Sequence, residues 1–166
     1  MDNIDLKILQ CLQNDATLPV SEIASRVGLS TSPCWNRIQR LEADGVIQRR
    51  VALLDSKSLN VGVTAFVSIR TSNHNAAWFK QFSDAVKSFP EVVEFYRMSG
   101  DVDYLLRVVV PDIAAYDEFY KRLIEQVDLQ DVSSSFAMEE LKFTTALPLD
   151  YVNGEERASR KARSAS

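Results

Sequence analysis

A chain of 166 residues has room for one medium domain or two small ones and is too short for a large multidomain enzyme. At 46% hydrophobic and 25% charged it has the composition of a folded globular protein, which excludes collagen-like, disulfide-scaffold and disordered classes. The formal net charge of −4 speaks, as a total, against nucleic acid as a partner. No apolar run reaches the roughly 18 to 20 residues of a membrane helix. The start, Met1-Asp2-Asn3-Ile4-Asp5, lacks the basic flank and apolar core of a secretory signal. Two cysteines, Cys11 and Cys34, suit a reducing cytoplasm rather than a disulfide framework.

The charge is unevenly spread. Residues 1–57 carry seven basic and seven acidic side chains, residues 58–150 carry eight against fourteen, and residues 151–166 carry four against two. Within 26–57, Arg26, Arg37, Arg40, Arg49, Arg50 and Lys57 face only Glu42, Asp44 and Asp55. The acidity belongs to the second half, and the total conceals a positive cluster in the first.

In chain order, Asp2 is placed to cap a helix whose Ile4, Ile8, Leu9 and Leu12 follow the 3.6-residue period. Pro19 suits the first turn of a second helix, with Ile23, Ala24 and Val27 inward and Gly28 as its stop. Ser30 or Ser32 then caps a third helix, with Ile38 and Leu41 inward, ending at Gly45. Residues 46–54 read as extended strands, completing a winged helix-turn-helix over residues 1–55. Residues 56–62 read as a hinge.

From 63 to 149 the pattern is β-α-β-β-α-β, a ferredoxin-like unit and an α+β class overall. A strand runs from Val63 to Thr71, with Val63, Ala65, Val67 and Ile69 on one face. Asn75 caps a helix presenting Trp78, Phe79, Phe82, Val86 and Phe89. Strands 92–98 and 102–110 flank the turn Ser99-Gly100-Asp101. Pro111-Asp112 opens a helix striped with Ile113, Tyr116, Tyr120, Leu123 and Val127, and a last strand extends from about Val132 to Thr144. Leu106, Val108 and Val110 lie on one face of their strand while Leu105 and Val109 lie on the other. Two helices cover one face only, so the second is expected to meet an identical subunit in a homodimer. Residues 150–166 form a small, polar, basic tail expected to be disordered.

The third helix carries the sharpest chemistry. With Ile38 and Leu41 inward, Asn36, Arg37 and Arg40 point outward together with the helix start, Thr31-Ser32. Arginine pairs bidentately with guanine and asparagine with adenine in the major groove, while hydroxyls reach phosphates or bases. Arg49, Arg50 and Lys57 would add phosphate contacts. Trp35 is expected wedged between helices, with Cys11 and Cys34 packed as small core residues. His74 is expected in a surface loop. One histidine and five scattered glycines supply neither a triad, a metal cluster nor a phosphate loop, so no enzyme, cofactor or metal is expected. Ser99-Gly100-Asp101-Val102-Asp103-Tyr104, with Ser133 to Ser135, offers carboxylates, hydroxyls and turn amides suited to a small zwitterion.

These stretches resemble the Lrp/AsnC (feast/famine) family of bacterial transcriptional regulators over about residues 1–149. The marks are residues 4–9, Val27-Gly28-Leu29-Ser30, the run from Pro33 to Glu42, Gly45-Val46-Ile47, the run from Gly100 to Leu106, and the run from Ser134 to Glu139. The resemblance implies a winged helix-turn-helix that binds a double-stranded DNA operator, joined to an amino-acid-sensing ferredoxin-like (RAM-type) domain. It also implies dimers that assemble further, commonly to octamers. On matching positions it implicates Ser99, Gly100, Asp101, Asp103, Tyr104, Ser133 and Ser135 in effector binding between dimers. Residues 51–55, 116–123 and 134–148 are most similar to the DecR-type branch, associated with cysteine-degradation genes, which makes L-cysteine the leading effector.

Overall fold

Two units divide the described chain: Met1–Ala52, joined by residues 142–152, and Leu53–Leu141. The structure, a computed structural model, describes residues 1–73, 75–127 and 129–152. His74 and residues 153–166, which hold most of the basic tail, lie outside the described residues.

The first unit opens with α1, Asn3–Asn14. Its first turn would leave backbone N–H groups unpaired, and Asp2 and Asp5 satisfy them reciprocally. The Asp2 carboxylate accepts from the Ile4 and Asp5 N–H groups at 2.9 Å, and Asp5 accepts from the Asp2 N–H at 3.0 Å. Helix α2, Val20–Val27, begins one residue later than its proline suggests: Pro19 stands before it with extended backbone. Gly28 ends α2 at φ +75°, a left-handed conformation that side chains with a Cβ resist, and this tight stop lets α3, Thr31–Ala43, start three residues later. Ile8, Ile23, Ile38 and Leu41 are sealed between the three helices with Cys34, while Cys11 packs at the edge half-buried. Each such aliphatic side chain stabilises the unit by about 1.5–3 kcal/mol relative to exposure.

Residues 46–54 depart from expectation. They form no strand, and Val51, Leu53 and Leu54 are exposed. No described strand runs beside them, and an extended segment without a partner has no ladder to join. The last expected strand is likewise shorter. The ladder of β1, Val63–Arg70, with β4, Asp131–Phe136, closes at Ala65 opposite Phe136 and a final Ala137 N–H to the Thr64 carbonyl at 2.9 Å. There β1 begins, so its neighbour has nothing further to pair with. Beyond it, Leu147 is held against α1: the Gln13 side-chain amide donates to the Leu147 carbonyl at 3.1 Å and accepts the Leu147 N–H at 3.0 Å.

In the second unit β1 is followed by α4 (Ala76–Ser88), β2 (Val92–Arg97), β3 (Tyr104–Val110), α5 (Ile113–Gln126) and β4. The sheet order is β2-β3-β1-β4, every pair antiparallel, as the split β-α-β pattern requires. Asn75 and Asp112 cap the two helices through their side chains, at Trp78 N–H and Ala115 N–H, both 2.8 Å. Val67, Ile69, Leu106 and Val108 face Phe82, Val86, Phe119 and Leu123 in a closed core. Phe119, absent from the expected α5 stripe, is buried at its centre, whereas Ile113 at its start is exposed, and so is Phe79 on α4. The opposite sheet face leaves Phe66 and Tyr96 exposed and Leu105 and Val109 half-buried, around an Arg107–Glu94 ion pair of 2.7 Å.

Candidate nucleic-acid interface and effector site

Helix α3 is amphipathic by position: Cys34, Ile38 and Leu41 are buried, while Thr31, Ser32, Trp35, Asn36, Gln39 and Arg40 are exposed. Trp35, expected between helices, is 47% exposed, because its position falls outside the arc that Cys34, Ile38 and Leu41 turn inward. Arg37 also departs from expectation. Its guanidinium does not share the open face with Asn36 but turns to α1, meeting Asp2 and Asp5 at 2.7 Å each. Arg40 donates to the second oxygen of Asp5 at 2.8 Å and stays half exposed. Burial pushes the Asp5 carboxyl up, yet the Asp2 N–H and the Arg37 guanidinium outweigh it and hold the group below the usual carboxylate range. Asp2 is lowered to about 2, first by the Asp5 N–H it accepts and then by Arg37.

Elsewhere the basic cluster is partly neutralised. Arg26 pairs with Glu22 and Arg50 with Glu42, whereas Arg49 is exposed and has no ion pair among the described residues. The open face of α3 therefore presents hydroxyl, amide and indole groups beside one held arginine. Gln39 and Asp5 escaped the sequence reading. The same 3.6-residue period that turns Ile38 inward places Gln39 outward, and Asp5 shares the inward spacing of Ile8 and Leu12. Cys34 is fully buried, which raises its thiol pKa and leaves it unreactive.

In the second unit the candidate effector residues separate. Ser99, Gly100 and Asp101 are exposed at the tip of the β2–β3 loop, where Gly100 has φ +107° and the Met98 N–H bonds the Asp103 carbonyl at 2.8 Å. Asp103 is half-buried, and its carboxylate accepts the Thr71 N–H at 2.8 Å, tying this loop to the end of β1. Tyr104 is in the core, 4% exposed, its ring 4.8 Å from Phe82 and 5.9 Å from Phe79 and Phe95. Strand parity explains this, since Tyr104 shares the inward face of Leu106, Val108 and Val110. Ser133 and Ser135 are exposed on β4, an edge strand that β1 separates from β3, while Ser134 between them bonds the Tyr116 hydroxyl. A single chain thus does not gather loop and serines into one site. An open cavity of about 260 Å3 lined by Thr71, Ser72, Asn73, Trp78 and Gln130 lies at the sheet end that Asp103 braces. Among the described residues no group of His, Cys, Asp or Glu is arranged to hold a metal ion, and no helix is long and apolar enough to cross a membrane.

Comparison with known proteins joins the two halves. Residues 1–48 match a winged helix-turn-helix DNA-binding model, and residues 64–147 match the Lrp/AsnC ligand binding domain. The chain belongs to the Lrp/AsnC family. Among relatives of this Lrp/AsnC protein, the DNA-binding transcriptional activator DecR of Escherichia coli K12 is 50% identical over 90% of this chain and 99% of its own. A glutamate uptake regulatory protein of Zymomonas mobilis is 49% identical over 98% of each. A solved AsnC family transcriptional regulator from Agrobacterium tumefaciens has a TM-score of 0.89 at 67% identity, covering 91% of this chain and 99% of its own. A regulator from Neisseria meningitidis, solved as a complex with L-Met, has a TM-score of 0.88 at 36% identity, covering 92% and 99%. The Lrp/AsnC protein is a DNA-binding transcriptional regulator with an amino-acid-binding domain, not an enzyme.

Proposed function

We propose that residues 1–55 read a duplex operator in the cytoplasm through the outer face of α3, and that residues 63–149, across a hinge at 56–62, sense an amino acid and assemble subunits. The observation that carries this is the open, largely uncharged reading face of α3, on which Ser32, Asn36 and Gln39 project beside the half-exposed Arg40. Amide side chains pair with adenine edges and hydroxyls with phosphates or bases, so this face suits sequence reading. Thr31 and Arg49 are assigned phosphate contacts, which orient the helix on the duplex. Arg37, held by two carboxylates, is assigned a structural bridge in place of base contact.

Subunits pair through the open sheet face as a homodimer and assemble further to an octamer; exposed Phe66 and Tyr96 beside Leu105 and Val109 support the pairing. The effector lies where the Ser99–Asp101 loop of one subunit meets Ser133 and Ser135 of another, because one chain alone keeps them apart. Its amino-acid class is supported by the ligand-binding match and the L-Met complex. L-Cysteine is the leading effector, on the likeness to DecR. Effector binding shifts the assembly equilibrium through differential affinity for its states.

The test is DNA-binding anisotropy with the duplex immediately upstream of the protein's own gene. Asn36→Ala and Gln39→Ala are each expected to weaken binding by about 1–3 kcal/mol, the value of one good base contact. Calorimetric titration with L-cysteine, L-glutamate and L-methionine separates effectors, and wild-type protein binding none of the common amino acids would remove the sensing assignment. Phe66→Arg should convert the dimer to monomer in light scattering.

A further inference from the structure

The Asp5 carboxylate is 1% exposed, yet it is ionised and fully engaged: one oxygen meets Arg37, and the other meets Arg40 and the Asp2 N–H. Arg37 has a second carboxylate partner in Asp2, whereas among the described residues the only carboxylate that Arg40 meets is Asp5. The two arginines stand three residues apart on α3, and both acids stand at the start of α1, so the four charges cancel within one cluster. A buried carboxylate with three donors contributes little net Coulomb stabilisation against its desolvation. What it supplies is geometry. One terminal nitrogen of Arg40 is committed to Asp5 while the side chain remains 54% exposed, so the guanidinium is restrained yet open to solvent. A flexible arginine loses rotamer entropy when it grips a guanine edge, and a pre-oriented one loses less.

From this geometry we infer that Asp5, although it never reaches the duplex, is a positioning residue of the DNA-reading helix: it holds the Arg40 guanidinium in the orientation used against DNA. The inference rests on the reading of α3 given above. It carries a sign that simple electrostatics reverses. Removing a negative charge near a DNA-facing surface raises general affinity for the polyanion. Loss of positioning lowers affinity for the operator alone.

The experiment uses the full chain, the duplex upstream of its own gene, and a shuffled duplex of equal length. Asp5→Asn should reduce preference for the first over the second by about tenfold, as expected for one lost charge-assisted contact. Affinity for the shuffled duplex should hold or rise. Arg40→Gln should give a similar loss, and the double variant should lose no more than either single one, since both remove the same interaction. A scaffold role for Asp5 alone would instead lower binding to both duplexes together with the melting temperature, and would add to Arg40→Gln. If Asp5→Asn melts below the assay temperature, Asp5→Glu carries the same comparison, since it keeps the charge and displaces the carboxylate by one methylene. Loss of preference in Asn36→Ala and Gln39→Ala, with preference intact in folded Asp5→Asn or Asp5→Glu, overturns the positioning role. Wild-type protein without preference, or Asn36→Ala and Gln39→Ala variants that bind as wild type, overturns the reading of α3 itself.

Discussion

Truncation of Tyr104 separates a core residue from an effector ligand. Its ring contacts Phe82, Phe79, Phe95 and Trp78 at centroid distances of 4.8 to 6.2 Å and is 4% exposed. Tyr104→Ala leaves a cavity lined by those rings, and large-to-small aromatic substitutions in cores cost about 3–5 kcal/mol. Each lost aromatic pair is already included in that range, so the pairs are not added again. For a unit of this size, 1 kcal/mol corresponds to about 4–8 °C, which gives a drop on the order of 12–40 °C in the effector unit. Tyr104→Phe keeps the ring and the contacts and should melt within a few degrees of wild type. Differential scanning calorimetry of the full chain measures both variants, and calorimetric titration with L-cysteine measures what the hydroxyl does. The core assignment is refuted if Tyr104→Ala melts like wild type. It is also refuted if Tyr104→Phe keeps its melting temperature but loses the effector.

Three further outcomes follow from the same geometry. Asp2 and Asp5 both have lowered folded pKa values, so their contribution is complete above the ordinary value of 3.8 and is lost as pH falls below it, for Asp2 towards about 2. Trp35 fluorescence in a Trp78→Phe background should report that acid loss in the first unit, and Asp2→Asn should flatten it; an unchanged acid profile would contradict the assigned pairing. Gln13→Ala removes both hydrogen bonds to Leu147, a loss of about 1 kcal/mol each, and limited proteolysis should then cut faster between residues 142 and 148 without altering the α1 core. Cys34, fully buried, should resist alkylation in the native protein while half-buried Cys11 reacts first, as mass spectrometry of iodoacetamide adducts would show.

Much of the fold was legible because its signals are local. The apolar, β-branched run along 102–110 identified a strand, and Asn75 and Asp112 announced helix starts through the side-chain acceptor a first turn needs. The end of β4 was not legible, because its length depends on where a strand seventy residues earlier begins. Burial alternates along that strand in the fold and turns Tyr104 inward, where its phenol had suggested a ligand. Of the candidate site, the exposed positions Thr31, Ser32, Asn36 and Ser99–Asp101 follow from period and turn chemistry, whereas the direction taken by Arg37 does not. A long side chain on the flank of a helix goes to whichever charge the fold places near it.

Sequence alone determined the two-part architecture, the helix proposed to read DNA and the family, since these depend on residue spacing within short windows and on motifs in fixed order. Tertiary structure alone decided which groups on that helix remain free, that Asp2 and Asp5 pair with Arg37 and Arg40 about 35 residues away, and that loop and edge-strand serines stand apart in one chain. Long-range electrostatic pairing and strand order are properties of packing. They depend on which distant segments are brought within a few ångströms, and no local pattern encodes that distance.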